Sequence, residues 1–225
     1  MSIAENIAQI QAEIRSARMR SPRPEQEVTL VAVTKMHPPE EIAQVLRAGQ
    51  LILGENRVQE LRDKYPLVSP VAQWNLFGHL QHNKVKYVMD KVSLIHSVES
   101  DSVAEEINKR ALEMGKVMDI LVQVNIADEE SKYGLAEADV VPFLQKLSQM
   151  KGIHVKGLMN IAPHFPDLEQ VRPVFRRMYQ LYTAIGEMAL PGIDMDILSM
   201  GMSGDFVVAV EEGANMVRIG SRIFQ

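Results

Sequence analysis

The chain has 225 residues, of which 46% are hydrophobic and 24% are charged, which is the balance of one sizeable soluble core. Its formal net charge of −5 offers no electrostatic basis for non-specific binding to nucleic acid, so we predict no nucleic-acid partner. The absence of cysteine excludes disulfides, thiolate nucleophiles and cysteine-ligated metal centres.

The first segment, residues 1–20, predicts an amphipathic helix. Glu5 and Glu13 interrupt its apolar residues, so it contains no run long enough for the core of a signal peptide. Elsewhere no apolar stretch approaches the roughly 20 residues needed to cross a bilayer. We therefore expect a cytoplasmic protein with no membrane partner.

A strand followed by a helix is the first repeated unit of the chain. Val28–Val33 is a β-branched and aliphatic run typical of a strand buried on both faces, and Lys35 follows closely. Pro38 and Pro39 suit the first turn of a helix, and the apolar spacing after them predicts a helix that ends before Gly49.

The same unit recurs along the chain. Seven further strands are predicted at residues 51–53, 74–77, 92–95, 118–125, 153–159, 193–200 and 215–219. Helices are predicted between them, including one after Gly78-His79. Eight strands favour a closed (β/α)8 barrel over an open sheet, and no G-x-G-x-x-G follows the first strand. We predict one barrel domain over residues 1–225, with an extra N-terminal helix and little room for a second domain.

In such a barrel, the residues that follow the strands converge on one rim, where the chemistry of these folds is found. The candidates at this rim are Lys35, Asn56, His79, Ser97, residues 125–134, Asn160, Ser203, Gly220 and Ser221.

Lys35 is the most informative of these residues. The strand period of two places it on the inner face with Val31 and Val33. Burying an ammonium costs several kcal/mol unless the group is paired or deprotonated. Two interpretations stay open: a lysine that extends to solvent at the rim, or a Schiff-base lysine whose buried, deprotonated amine condenses with an aldehyde.

The end of the chain predicts a phosphate site. Alternation points Arg218 into the barrel, where it needs an acceptor. Gly220 lets backbone approach a ligand closely, Ser221 offers an N–H and a hydroxyl, and residues 199–205 form a Gly- and Ser-rich loop. Barrels often bind phosphate after strands seven and eight. With Lys35, these features predict a small phosphorylated aldehyde as the ligand.

Other polar residues carry weaker signals. His79 and His82 lie three residues apart, but no HExxH motif accompanies them, so we predict rim or surface histidines and no metal site. Asp205 is expected to cap the following helix, and residues 128–130 are expected to form a solvated loop.

Eight motifs lie in order along nearly the whole chain. They are Val31–Lys35, Gly54–Glu60, Phe77–Lys84, His96–Ser100, Ser131–Gly134, Gly157–Met159, Ser199–Ser203 and Val217–Ser221. Together they closely resemble the motifs of the pyridoxal phosphate homeostasis protein family.

The resemblance implies a single-domain barrel like the N-terminal domain of alanine racemase, which is pyridoxal phosphate fold type III. It implies that Lys35 holds pyridoxal 5′-phosphate (PLP) as a Schiff base, with Asn56 near the ring and Arg218 near the phosphate or the pyridine nitrogen. The remaining implied cofactor-binding residues are Ser199, Met200, Ser203, Gly220 and Ser221.

The resemblance also implies a role in vitamin B6 and amino-acid homeostasis without an established reaction. We expect a PLP carrier or regulator, acting as a monomer, with PLP-requiring apoenzymes as recipients of the cofactor. Two alternatives stay open: a PLP-dependent amino-acid racemase or decarboxylase with Lys35 as acid or base, and a Schiff-base aldolase that works without the cofactor.

Overall fold

The computed structural model describes residues 1–127 and 133–225, which contain eight parallel strands. The strands are β1 (Thr29–Val33), β2 (Ile52–Glu55), β3 (Gln73–Leu76), β4 (Val92–Val98), β5 (Met118–Gln123), β6 (Ile153–Met159), β7 (Ile193–Ser199) and β8 (Met216–Ile219). Each pairs with the next, and β8 pairs with β1, so that the sheet closes on itself. The predicted (β/α)8 barrel is confirmed.

Alternating side chains along the strands divide the core in two. A small cluster inside the barrel includes Val31 and Met216, whereas Val217 and Ile219 belong to the larger core between the strands and the helices. The predicted orientation of β8 is therefore confirmed, and the intervening residue, Arg218, points into the barrel.

The helices surround the strands. They are α1 (Ile3–Arg18), α2 (Pro39–Arg47), α3 (Val58–Lys64), α4 (Asp101–Glu113), α5 (Glu137–Leu147), α6 (Arg172–Glu187), α7 (Phe206–Glu211) and α8 (Ser221–Phe224). Helix α2 ends two residues before Gly49, as the sequence predicts. Over the two described ranges, no helix combines the length and the apolar character that a membrane span requires.

The prediction of a regular amphipathic helix after β3 is wrong. The chain there forms a 3₁₀ helix, His82–Tyr87. Val85 and Val88 are fully buried, and their spacing of three residues matches the three-residue turn of a 3₁₀ helix.

Helix α1 packs on the outside of the barrel between α2 and the last two helices. Strand β8 is followed only by the four residues of α8, and α1 packs against α7, α8 and α2. The amide of Asn6 donates to the carbonyl oxygens of Ile223 (3.0 Å) and Gln225 (2.8 Å), and Arg222 pairs with Glu13 at 2.6 Å. The predicted amphipathic helix thus ties the two ends of the chain together.

Candidate functional site

A cavity of about 870 Å³ opens at the carboxyl ends of the strands. Six of the eight predicted cofactor-binding residues line it together: Lys35, Asn56, Ser203, Arg218, Gly220 and Ser221. Its volume lies within the range of small-molecule and cofactor sites.

A second cavity, of about 470 Å³, lies at the opposite end of the barrel. It is bordered by α1 and by the first residues of β1 and β2, including Arg18, Thr29 and Ile52. Because barrels of this type place their chemistry at the carboxyl ends of the strands, we assign the candidate site to the larger cavity.

Lys35 lies at the mouth of the cavity and is exposed. Of the two interpretations left open for Lys35, the exposed position agrees with a lysine that extends to solvent at the rim and not with a buried amine, because β1 ends at Val33, two residues earlier. No hydrogen bond or ion pair joins its amine to another residue of the described ranges. The amine is therefore accessible to a ligand without first breaking an internal contact.

Arg218 lies at the bottom of the cavity, where only 2% of the residue is exposed. Its guanidinium donates to Ser199 Oγ (2.5 Å) and to the carbonyl oxygen of Asn160 (2.8 Å). Burial lowers the pKa of Arg218 to about 10, although the charge of Asp205 opposes the shift, so the group stays cationic at neutral pH. The hydrogen-bond acceptors predicted for Arg218 are therefore present, but both are neutral. The positive charge of the guanidinium suits an anionic ligand.

Ser199 and Met200 do not line the cavity. Both residues are fully buried, and the Met200 side chain packs in the outer core between the barrel and its helices. Ser199 is hydrogen-bonded to Arg218 and, at 3.1 Å, to Nδ1 of His96. Ser199 therefore orients the arginine from behind the cavity, at the point where β7 ends.

The loops after β7 and β8 are joined by hydrogen bonds. Ser203 Oγ accepts from the N–H of Gly220 at 3.2 Å. Asp205 precedes α7, but its carboxylate accepts from the N–H of Met202 (2.6 Å) and makes no side-chain bond to that helix, so its predicted capping role is wrong. Burial raises the pKa of Asp205, and the Met202 N–H opposes the shift.

Gly220 allows the loop after the last strand to approach the end of the first strand closely. A Cβ atom at this position would lie 3.1 Å from both Cβ and the carbonyl oxygen of Val33. The absence of a side chain therefore allows β1 and the loop after β8 to border the same cavity.

His79 lines the opposite side of the cavity. Its Nδ1 lies 2.8 Å from Glu99 Oε1, and its ring stacks on Tyr133 with 4.0 Å between the centroids. Tyr133 is held by its carbonyl oxygen, which accepts from the amide of Gln123 at 3.1 Å. The histidine thus faces the cavity with a fixed ring orientation.

Several lining residues were missed as site residues from the sequence alone: Val33, Arg57, Phe77, Gln123 and Ile161. Val33, Arg57 and Phe77 lie within the motifs that carry the family resemblance, which was the available signal. Tyr133 and Met202 also line the cavity and belong to two segments predicted at the rim, residues 125–134 and 199–205. Residues 131 and 132 of one motif, and the acidic residues 128–130 that were expected to form a loop, lie outside the described residues.

His96 lies buried beneath the site, and its protonation affects the stability of the fold. It is completely inaccessible, and its Nε2 has no hydrogen-bond partner among the described residues. Burial, reinforced by the charge of Arg218, holds the pKa of His96 well below its ordinary value of 6.5. The folded protein therefore keeps this imidazole neutral where the unfolded chain protonates it.

We expect the free energy of unfolding to fall as the pH drops below about 6.5, because the unfolded chain then binds the additional proton. One such group contributes at most about 1.4 kcal/mol per pH unit, until the pH reaches the folded pKa. Urea unfolding at pH 7.5 and 5.5 should show a smaller pH dependence in His96→Asn than in the unchanged protein. His164→Asn, at an exposed histidine, is the control. An unaltered pH dependence in His96→Asn would contradict the prediction.

The site can be compared with known proteins. The family described as alanine racemase, N-terminal domain, matches residues 6–225. The pyridoxal phosphate homeostasis protein of Aquifex aeolicus is 39% identical over 228 residues, covering 100% of this chain and 98% of that protein. This chain belongs to the pyridoxal phosphate homeostasis protein family. The Escherichia coli (strain K12) member is 34% identical, and the match covers 99% of this chain and 95% of that protein.

Solved structures agree with this family assignment. PipY of Synechococcus elongatus, solved with PLP bound, shares 33% identity with a TM-score of 0.87, and the match covers 100% of both chains. Alanine racemase from Corynebacterium glutamicum has a TM-score of 0.70 at 13% identity, and the match covers 99% of this chain and 60% of that chain. The second similarity shows the fold alone. The predicted family and the predicted alanine racemase-like barrel are both confirmed.

Proposed function

We propose that this protein binds PLP in the cavity at the carboxyl ends of the strands and attaches it covalently to Lys35. The observation that carries the proposal is that one cavity holds an accessible primary amine, Lys35, and a buried cation without a carboxylate hydrogen-bond partner, Arg218. PLP offers an aldehyde for the amine and a phosphate for positive charge. Its presence in the PipY structure supports the choice of ligand.

The donors around the cavity fit this cofactor. The Lys35 amine can add to the aldehyde carbon, with formation of a C=N bond and loss of water. Arg218 supplies a charge for the phosphate or for the pyridine nitrogen, and Asn56 lines the same cavity. Ser203, Gly220 and Ser221 provide the hydroxyl and backbone groups that suit a phosphate. When bound, PLP supplies a reactive aldehyde and an electron-withdrawing ring.

The open cavity favours reversible storage of the cofactor over catalysis. Lys35 is exposed, and Tyr133 and Met202 at the rim are 58% and 38% exposed. Enzymes that use PLP exclude water from the reacting centre, and an arginine at the pyridine nitrogen would keep that nitrogen unprotonated and weaken the ring as an electron acceptor. We therefore propose a carrier that buffers PLP and delivers it to PLP-requiring apoenzymes.

The remaining parts of the proposal concern the state of the protein in the cell. The cavity opens within the barrel of a single chain, which favours binding of the ligand by a monomer. We propose a cytoplasmic monomer made of one domain over residues 1–225, with neither nucleic acid nor membrane as a partner.

The covalent site is tested by absorbance and mass spectrometry. The protein loaded with PLP should absorb visible light, and reduction with borohydride should leave a mass adduct on Lys35. Pyridoxal, which lacks the phosphate, should bind about 100-fold more weakly because the charge-assisted contacts are lost. An unmodified Lys35 after reduction would contradict the covalent site, and equal affinity for the two compounds would contradict the phosphate assignment.

The carrier role is tested with the same loaded protein. Incubation with an apoenzyme should transfer PLP and restore the activity of that enzyme. A panel of L- and D-amino acids should give no sustained turnover. Multiple turnover at enzyme-like rates would overturn the carrier role in favour of a racemase or a decarboxylase.

A further inference from the structure

Lys64, at the end of α3, lies outside the cavity but is bonded to the segment that carries Lys35. Its ammonium donates to the carbonyl oxygen of Thr34 (2.8 Å), to Glu55 Oε1 (2.7 Å) and to Glu60 Oε2 (3.0 Å). A lysine has three N–H donors, so all three are used. Only 12% of the Lys64 side chain is exposed.

The two carboxylates continue these contacts around Lys35. Glu60 Oε2 also accepts from the N–H of Met36 at 2.9 Å. Glu55 Oε1 also accepts from Thr34 Oγ1 at 2.6 Å. The carbonyl of the residue before Lys35 and the N–H of the residue after it are therefore both held by one cluster, formed by Lys64, Glu55 and Glu60.

The backbone at this point needs such support. Strand β1 ends at Val33, and Met36 has a φ of +65°, in the left-handed region that residues other than glycine rarely adopt. Met36 is 86% exposed, so its side chain contributes little packing of its own. A conformation of this kind persists only where surrounding contacts hold it.

The charges of the cluster depend on one another. Glu55 is fully buried, and burial raises the pKa of this carboxyl, while Lys64 and Thr34 oppose the shift. Burial also acts against ionisation of Glu60, but the Met36 N–H and Lys64 outweigh it and lower the pKa of Glu60. Removing Lys64 would leave two neighbouring carboxylates without their shared cation.

We propose that Lys64, together with Glu55 and Glu60, is a positioning group that holds the Lys35 segment in the geometry needed for reaction with an aldehyde. This inference rests on the proposed function, in which Lys35 is the site of attachment. A purely structural ion pair would affect only the stability of the fold. A positioning group also sets the rate at which Lys35 reacts, because small displacements of reacting groups have large kinetic effects.

The test compares Lys64→Met with Lys64→Arg as the conservative variant, and with Lys146→Met as a matched control. Lys146 forms an exposed ion pair with Asp101, away from the cavity. The growth of visible absorbance after mixing with PLP measures the rate of bond formation at Lys35. We expect Lys64→Met to slow this rate about tenfold or more, Lys64→Arg to recover part of it, and Lys146→Met to leave it unchanged.

Hydrogen exchange at the Met36 amide gives a second measurement that needs no PLP. Its exchange should accelerate about tenfold in Lys64→Met, measured against the unchanged exchange of the β5 and β6 amides. A wild-type rate of bond formation together with wild-type exchange in folded Lys64→Met would overturn the positioning role. If the unchanged protein forms no Lys35 adduct, the proposed function fails, whereas the exchange result still decides whether the cluster holds the segment.

Glu60→Gln covers the case in which Lys64→Met does not fold. Glu60 has a side chain that is 24% exposed, and an amide keeps an oxygen acceptor for the Met36 N–H while removing the charge. We expect slower bond formation and faster Met36 exchange, each by about threefold or more. Wild-type values for both measurements in this variant would also overturn the proposal.

Discussion

Lys35→Ala should abolish covalent attachment of PLP. Among the described residues that line the cavity, Lys35 is the only primary amine, and the guanidinium groups of Arg57 and Arg218 do not replace it as nucleophiles. We expect the visible absorbance and the borohydride adduct to disappear. Affinity for PLP should fall about 100-fold or more, which corresponds to about 2.8 kcal/mol.

The loss should be specific because Lys35 is exposed and lacks a partner in the described structure. Substitutions at such positions change stability by about 0.5 kcal/mol or less, so the melting temperature should stay close to that of the unchanged protein. Weak, salt-sensitive binding should remain through Arg218 and the loops after β7 and β8. Lys146→Ala is the control and should retain the adduct. A stoichiometric adduct on a different lysine in Lys35→Ala would contradict the assignment.

Gly157→Ala should strongly destabilise the fold. Gly157 lies in β6 beside a register shift with β7, and its φ is +144°. An added Cβ would lie 1.9 Å from the carbonyl oxygen of Ile197, which belongs to the backbone of the neighbouring strand and cannot rotate away. We expect a loss of about 4 kcal/mol or more, seen as insoluble protein or as a greatly lowered midpoint of urea unfolding.

Gly186→Ala is the matched control for this substitution. Gly186 lies in α6, and a Cβ there would meet Met195 at 3.5 Å, an ordinary van der Waals distance. Because alanine has a higher helix propensity than glycine, this variant should gain about 0.5 to 1 kcal/mol. A soluble Gly157→Ala protein with unchanged stability would show that β6 and β7 separate more easily than the structure indicates.

The proposed PLP site was partly predictable from local sequence features. The position of Lys35 after one strand and of Arg218 within another was enough to predict an amine and a phosphate site at one end of a barrel. The family motifs added the identity of the cofactor. Neither line of reasoning could separate Ser203, which borders the cavity, from Ser199 and Met200, which lie behind its wall.

The sequence by itself determined the eight strands, the inward direction of Arg218 and the family. These features follow from local periodicity and short motifs, which are readable along the chain. Only the tertiary structure decided that Lys35 is exposed and that Lys64 holds its segment. Those outcomes depend on where β1 stops pairing and on how α3 packs beside it, which are contacts between residues distant in sequence. The closure of the barrel brings such residues together, and no local pattern records their distances.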